Sequence, residues 1–93
     1  HVLVEKPLTS SFKEAKELVE LSSVKKKLLM VDHTFLYTGA VIKLKSLAIE
    51  NKFGEIQYLD STRINLGLFQ HDVNVLWDLA PHEISISNYI LIV

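Results

Sequence analysis

Asp78 and His82 place a carboxylate and an imidazole four residues apart, at the start of an apolar segment. If this segment is helical, the two side chains lie on one face of the helix, about one turn apart. At that separation both could act on one small molecule, with the imidazole as a general base. The alternative, which the spacing alone favours, is that Asp78 caps the helix and His82 is a partly buried structural histidine.

Two short apolar runs, at residues 2–4 and 28–31, are each followed by polar residues. Such runs are typical of strands buried in a parallel sheet. A charged turn at 5–7 follows the first run, and Asp32 and His33 follow the second. Because ligands bind outside the carboxyl ends of strands in open α/β sheets, we expect both groups to face one crevice. The alternatives are an ordinary turn at 5–7 and a structural role for His33.

Helices are predicted between and after these strands. Ser11 and Glu14 form a capping box, and apolar residues follow at helical spacing. The first strand, this helix and the second strand are therefore predicted to form a parallel, right-handed unit. A second helix is predicted to begin after Gly39 and to end through Asn51 and Gly54, a residue suited to a left-handed cap.

The hydrophobic pattern changes after residue 52. Residues 55–65 alternate between apolar and polar types, which is typical of a strand in an antiparallel sheet with one wet face. We therefore place a domain boundary near residues 52–55. A loop is predicted at 67–74, followed by a third helix. Because proline is tolerated in the first turn of a helix, Pro81 indicates that this helix begins close to Asp78.

Composition excludes several classes of function. The 10 basic and 11 acidic residues are well mixed and give a net charge of −1, so no surface for nucleic acid or an anionic membrane is expected. The chain has no cysteine, no recognised spacing of metal ligands and no Gly-x-Gly-x-x-Gly loop. No apolar run reaches the roughly 18 residues of a membrane span and no signal peptide opens the chain, so we expect a cytoplasmic location.

The chain is expected to be part of a longer protein. It has 93 residues, of which 48% are hydrophobic, more apolar surface than so short a chain can easily bury. It opens abruptly on His1, and it ends within an apolar pattern that no cap or turn residue closes. Some of its faces should therefore contact further polypeptide.

In this order, the features resemble the Gfo/Idh/MocA family of NAD(P)-dependent oxidoreductases, which includes glucose–fructose oxidoreductase and inositol dehydrogenase. The resemblance is carried by the strand that leads into Glu-Lys-Pro at 5–7, the strand that ends at His33, the helix closed by Lys-Phe-Gly-Glu-Ile at 52–56, and Asp78-x-x-x-His82. The run 65–82 further resembles members that act on nucleotide-activated sugars, of the UDP-N-acetylglucosamine (or its uronic acid) 3-dehydrogenase type.

The resemblance implies an α/β plus α+β fold in two domains. Residues 1–52 would form the C-terminal part of a dinucleotide-binding Rossmann domain with parallel βαβ units. Residues 53–93 would supply the first strand and helix of a mostly antiparallel-sheet domain, which binds substrate and builds a homo-oligomer. The glycine-rich loop would lie before His1, and most of the second sheet after Val93.

The resemblance also implies the roles of three catalytic residues. Lys6 would hydrogen-bond the reacting hydroxyl beside the nicotinamide. His82 would be the general base that takes the hydroxyl proton. Asp78 would help to hold the sugar and tune the base. The sequence departs from the commoner glycine-containing form between these two residues, because Ala80 and Pro81 stand there.

The expected cofactor is NAD or NADP. Glu5 matches the residue near the nicotinamide ribose, and Pro7 shapes the turn that carries Lys6. His33 is a further candidate for the wall of the nicotinamide pocket. On the substrate side, Arg63 and Asn65 are candidate contacts together with Asp78.

Two hypotheses about function follow. In the first, the complete protein transfers hydride between the carbon of a sugar hydroxyl and nicotinamide, with a nucleotide sugar as the expected substrate. In the second, the chain is a non-catalytic structural or assembly fragment of a split or truncated protein, inactive alone.

Overall fold

The computed structural model describes residues 1–64, 67 and 71–92. Within these residues the chain forms, in order, strand β1 (Val2–Glu5), helix α1 (Phe12–Val24), strand β2 (Leu29–Asp32), a short 3-10 helix (Thr34–Tyr37), helix α2 (Gly39–Ile49) and helix α3 (Val75–Leu91).

The two strands pair in parallel, as the sequence predicts. Their register aligns Glu5 with Asp32. The carboxyl ends of both strands therefore meet at one edge of the sheet, and Lys6 and His33, the next residues on each strand, leave the sheet from that edge.

Helix α1 begins at the predicted capping box. The hydroxyl of Ser11 accepts a hydrogen bond from the backbone N–H of Glu14 at 3.3 Å and donates one to the Glu14 carboxylate at 2.9 Å. These bonds satisfy a backbone donor that the first turn of a helix otherwise leaves without a partner, and the carboxylate lies near the positive end of the helix.

Helix α2 also ends as predicted. It stops at Ile49, and the chain then passes through Asn51 with φ 49° and Gly54 with φ 83°. Both values lie in the left-handed region, where glycine and asparagine are the residues that fit with least strain. This turn closes the segment that the sequence assigns to the first domain.

The strand predicted over residues 55–65 is not formed in the part of it that the structure describes. Residues 56–64 lie in no strand or helix. The alternating pattern marks a segment that can pair, but a strand exists only where a neighbour supplies backbone hydrogen bonds. Within the described residues, the two paired strands are β1 and β2.

Helix α3 begins earlier than predicted. Its N-cap is Asn74, whose side-chain oxygen accepts from the backbone N–H of Trp77 at 2.9 Å, and the first helical residue is Val75 rather than Asp78. Asparagine is among the strongest N-cap residues, and it sets the start of the helix. Pro81 consequently lies in the second turn, where its missing N–H leaves the carbonyl of Trp77 without its helical donor.

The buried core lies where α2 and α3 pack together and against the 3-10 helix. Val41 and Ile90 are buried there, together with His82. By contrast, β1 and α1 expose large apolar side chains, among them Leu3 at 65% and Phe12 at 74%. Among the described helices, none is long and apolar enough to cross a membrane.

Candidate functional site

An ion pair between Lys6 and Asp78 joins the end of β1 to α3. The Lys6 ammonium lies 2.7 Å from Asp78 Oδ1 and donates a second hydrogen bond, also 2.7 Å long, to the Asp78 backbone carbonyl. The two side chains are 17% and 28% exposed. Because solvent screens such a pair less than one on the open surface, the contact fixes the position of the ammonium.

A second hydrogen bond holds α3 on the turn that follows β1. The indole Nε1–H of Trp77 donates to the backbone carbonyl of Thr9 at 2.6 Å. Lys6 and Thr9 therefore contact neighbouring residues of α3 from the same turn, in which the Lys6–Pro7 peptide bond is cis. These contacts bring the predicted lysine and the predicted aspartate together, although 71 residues separate them in the sequence.

His82 is buried, with 8% of its surface exposed, one turn after Asp78 on α3. Its ring meets the ring of Phe35 edge to face, with 4.7 Å between centroids and 78° between planes. Burial lowers the pKa of His82, and the positive charges of Lys6 and Arg63 lower it further. The imidazole is therefore neutral at pH 7, the state in which it can accept a proton.

The Nδ1 atom of His82 is buried and has no hydrogen-bond partner among the described residues. The Asp78 carboxylate binds Lys6 instead of the imidazole. The sequence also allowed a purely structural role, in which Asp78 caps the helix and His82 is a partly buried histidine. The structure bears on these two statements differently. Asp78 does not cap the helix, because Asn74 does, whereas His82 is indeed a buried histidine.

Arg63 contacts α3 through the carboxylate of Glu83. Its Nε lies 2.5 Å from Glu83 Oε1, and the Ser61 hydroxyl donates to Glu83 Oε2. The hydrogen bond from Ser61 and the one from Arg63 both hold the pKa of Glu83 below its usual range. Asn65, the other predicted substrate contact, lies outside the described residues.

A cavity of about 240 Å³ opens at the carboxyl ends of the two strands, lined in part by Lys6, Pro7, His33 and Trp77. A larger one of about 730 Å³ lies between the 3-10 helix and α3, and His33 lines both. The Nδ1 of His33 is buried without a hydrogen-bond partner in the described part of the chain. Glu5 is exposed at the strand end.

The smaller cavity fits part of a dinucleotide. Pockets for whole ligands measure roughly 300–1,000 Å³, so the space beside Lys6 is suited to one ring and its immediate substituent. Its lining is mainly apolar, with an ammonium at the wall and an imidazole nitrogen that has no hydrogen-bond partner in the described part of the chain. The residues thus fit the nicotinamide end of the cofactor. The pyrophosphate would need a glycine-rich loop that these 93 residues do not contain.

Sequence reasoning missed three features that build the site. It assigned no role to Phe35, to Glu83, or to the bond between Trp77 and Thr9. Glu83 directly follows the predicted base, and this position is the one local feature of the sequence that could have indicated its role. The others depend on long-range packing that residue spacing does not encode.

Comparison with known proteins relates this geometry to a family. Residues 1–33 match the model of the GFO_IDH_MocA oxidoreductase family, described as having an NAD-binding Rossmann fold. The match covers β1, α1 and β2 together with Lys6 and His33.

A curated relative extends the similarity along the chain. It is the protein of Escherichia coli (strain K12) named "Uncharacterized oxidoreductase YdgJ", 31% identical over 94 aligned residues that include 88% of this chain. The chain spans 26% of the length of that relative. No solved structure gives a significant match. These findings support the resemblance to the Gfo/Idh/MocA oxidoreductases, whose Rossmann fold binds NAD, with the family match itself covering residues 1–33.

Proposed function

We propose that this chain is the middle part of an NAD(P)-dependent oxidoreductase that transfers hydride between the carbon of a sugar hydroxyl and nicotinamide. The observation that carries the proposal is the contact between Lys6 and Asp78 beside the buried, neutral imidazole of His82. An ammonium, a carboxylate and a base are the groups that such a reaction asks of a protein, since hydride transfer itself is the work of the cofactor.

In the proposed mechanism, His82 takes the proton of the substrate hydroxyl. Lys6 donates a hydrogen bond to the same oxygen and steadies the negative charge that develops on it. Asp78 holds the Lys6 ammonium in place and contacts the sugar. A bound nicotinamide cofactor would supply the hydride acceptor for the carbon that bears this oxygen.

We assign the nicotinamide half of NAD or NADP to the turn after β1 and to the end of β2. Glu5 would approach the ribose, Lys6 and Pro7 would face the nicotinamide, and His33 would line its pocket. Nδ1 of His33, which has no hydrogen-bond partner among the residues that the structure describes, supports this assignment, because a buried imidazole nitrogen is normally hydrogen-bonded. The phosphates would be bound by residues outside this chain.

We propose a nucleotide sugar as the substrate. The support is the resemblance of the run 65–82 to dehydrogenases of nucleotide-activated sugars. Arg63 and Asn65 would contact the substrate along with Asp78. In this proposal residues 1–52 complete the Rossmann domain, and residues 53–93 open an antiparallel-sheet domain through which the protein forms a homo-oligomer.

The test uses the complete protein that contains this chain. The variants are Lys6→Met and His82→Asn, with Lys13→Met on the exposed side of α1 as the matched control. Turnover of UDP-sugars is followed by the absorbance of the reduced nicotinamide, with NAD and NADP in separate assays. We expect each site variant to lose about 100-fold or more in kcat while the control keeps its rate. Near-normal turnover in both site variants, with the fold retained, would contradict the proposal.

A second candidate function is assembly without catalysis. It is favoured by the apolar side chains that β1 and α1 leave exposed, including Leu3 and Phe12. In that case the chain supplies a sheet edge and a helix face to further polypeptide. Calorimetric titration of this chain with NAD tests the second candidate, because clear micromolar binding by the chain alone would argue against a purely structural piece.

A further inference from the structure

The ring of Phe35, on the 3-10 helix, contacts two charged or titratable groups from other segments. The guanidinium Cζ of Arg63 lies over it, 4.6 Å from its centroid. The ring of His82 meets it at 4.7 Å in a T-shaped arrangement. Phe35 therefore connects an arginine of the segment before α3 to the proposed base on α3.

Arg63 is itself held in place by α3. Its Nε binds one oxygen of Glu83, and the Ser61 hydroxyl binds the other. The Ser61 bond holds the Glu83 carboxylate, and the Nε contact with that carboxylate holds the guanidinium over the Phe35 ring. Arg63 and Glu83 side chains are 28% and 26% exposed, so the pair is only partly open to solvent.

A histidine base must keep its ring in one orientation. In many sites a hydrogen bond to the second ring nitrogen does this, and that bond also fixes the tautomer. Within the described residues, Nδ1 of His82 has no such partner. Packing must then hold the orientation of the His82 ring. Among the described residues, the edge-to-face contact with Phe35 is an aromatic contact that can do this.

We propose that Phe35 is a positioning residue for His82, and that the ion pair of Arg63 with Glu83 fixes Phe35 in turn. This inference rests on the proposed function, in which His82 is the base. It gives Arg63, proposed above as a substrate contact, a second role that acts through Phe35. The groups whose charge reaches His82 are Lys6, Arg63 and His33, which disfavour the imidazolium, and Glu83, which favours it.

The test compares Phe35→Leu with Phe35→Tyr in the complete protein. Leucine keeps most of the apolar volume but removes the ring, whereas tyrosine keeps the edge-to-face contact. Phe12→Leu is the matched control, because Phe12 is 74% exposed on α1. Two readouts are taken for each variant, kcat as a function of pH and the NMR titration of the His82 ring protons.

We expect Phe35→Leu to lower kcat by about 10- to 100-fold, with a smaller change in KM, because a misplaced base slows the chemical step. We also expect the NMR titration and the acidic limb of the kcat profile to move together to higher pH, since the imidazole loses part of its burial. Phe35→Tyr should restore kcat to within a few-fold, and Arg63→Gln should change both readouts in the same direction as Phe35→Leu, to a smaller extent.

An unchanged His82 titration and unchanged kcat in Phe35→Leu would overturn the inference. So would a loss of kcat that the tyrosine variant shares, because it would not depend on the aromatic contact. A shifted His82 titration with normal kcat would keep Phe35 as the residue that positions the ring, and would instead contradict the proposed role of His82 as the base. The two failures are thus distinguishable.

Discussion

The Lys6 ammonium lies 2.7 Å from Oδ1 of Asp78 and 2.7 Å from its backbone carbonyl oxygen. One side chain from the end of β1 thus binds both the side chain and the main chain of one residue of α3. This relationship matters because neither segment predicts a site by itself. A charged turn after a strand is common, and so is a histidine one turn after an aspartate on a helix.

Asp78→Asn should weaken this contact without removing it. The amide keeps a hydrogen-bond acceptor for the Lys6 ammonium but loses the charge, and the backbone acceptor remains. Because both groups are partly exposed, we expect a loss of about 1 kcal/mol in the free energy of unfolding. If the pair also positions Lys6 for catalysis, kcat should fall about tenfold or more.

Urea unfolding and steady-state kinetics of the complete protein measure these two effects. Asp72→Asn is the matched control, since Asp72 is exposed and precedes α3. A full loss of kcat with no change in stability would assign Asp78 to the substrate rather than to Lys6. No change in either quantity would show that the ion pair contributes to neither stability nor catalysis.

The buried state of His82 gives the protein a pH dependence with a definite sign. Its pKa in the folded state is lower than the usual value of 6.5, chiefly because burial disfavours the charged ring. Well above pH 6.5, the His82 ring is neutral in both the folded and the unfolded chain. As the pH falls below 6.5, the unfolded chain binds a proton that the folded chain resists, so the free energy of unfolding decreases until the pH passes the folded pKa.

His82→Gln should remove this part of the pH dependence. The measurement is the difference in the free energy of unfolding between about pH 8 and about pH 5, compared for the wild type and the variant. His71→Gln serves as the control, because His71 is exposed. An equal pH dependence in the wild type and in His82→Gln would mean that His82 is not protected from protonation.

The cap of α3 predicts a separate effect on stability. Asn74→Ala removes the oxygen that accepts from the backbone N–H of Trp77 and should cost about 1 kcal/mol. Asn74→Asp keeps that acceptor and places a negative charge at the positive end of the helix, so it should retain the stability of the wild type. Thermal unfolding followed by circular dichroism distinguishes them, and equal melting temperatures for all three proteins would show that the cap contributes nothing.

Local signals predicted those parts of the fold whose cause is local. The capping box of Ser11 fixed the start of α1, and left-handed residues such as Gly54 marked the end of α2. The predicted start of α3 was wrong because two local signals competed. Pro81 suggested a late start, whereas the hydrogen bond from Asn74 stabilises an early one and the helix tolerates the proline in its second turn.

The contacts that required the whole fold were not predictable in this way. Strand formation over 56–64 depends on a neighbouring strand, and alternation alone cannot supply one. The partners of Arg63 are Glu83, 20 positions further along the chain, and Phe35. Phe35 has no local sequence feature that indicates a functional role. The family resemblance placed Lys6 and Asp78 in one predicted site, but it did not predict the bond between them.

The bond from Trp77 to Thr9 holds α3 against the same turn that carries Lys6. Trp77→Phe keeps an aromatic ring but removes the Nε1–H donor. The substitution leaves the partly buried carbonyl of Thr9 without its hydrogen-bond donor. It should therefore lower the free energy of unfolding by about 1 kcal/mol. Tyr58→Phe, which changes a side chain that is 85% exposed, is the matched control.

Since Trp77 is the one tryptophan of the chain, unfolding is best followed by circular dichroism rather than by fluorescence. If α3 is held by this bond, amide hydrogen exchange in its first turns should also speed up in Trp77→Phe, and kcat should fall because Asp78 follows directly. Unchanged exchange with unchanged kcat would show that the ion pair of Lys6 holds the helix by itself.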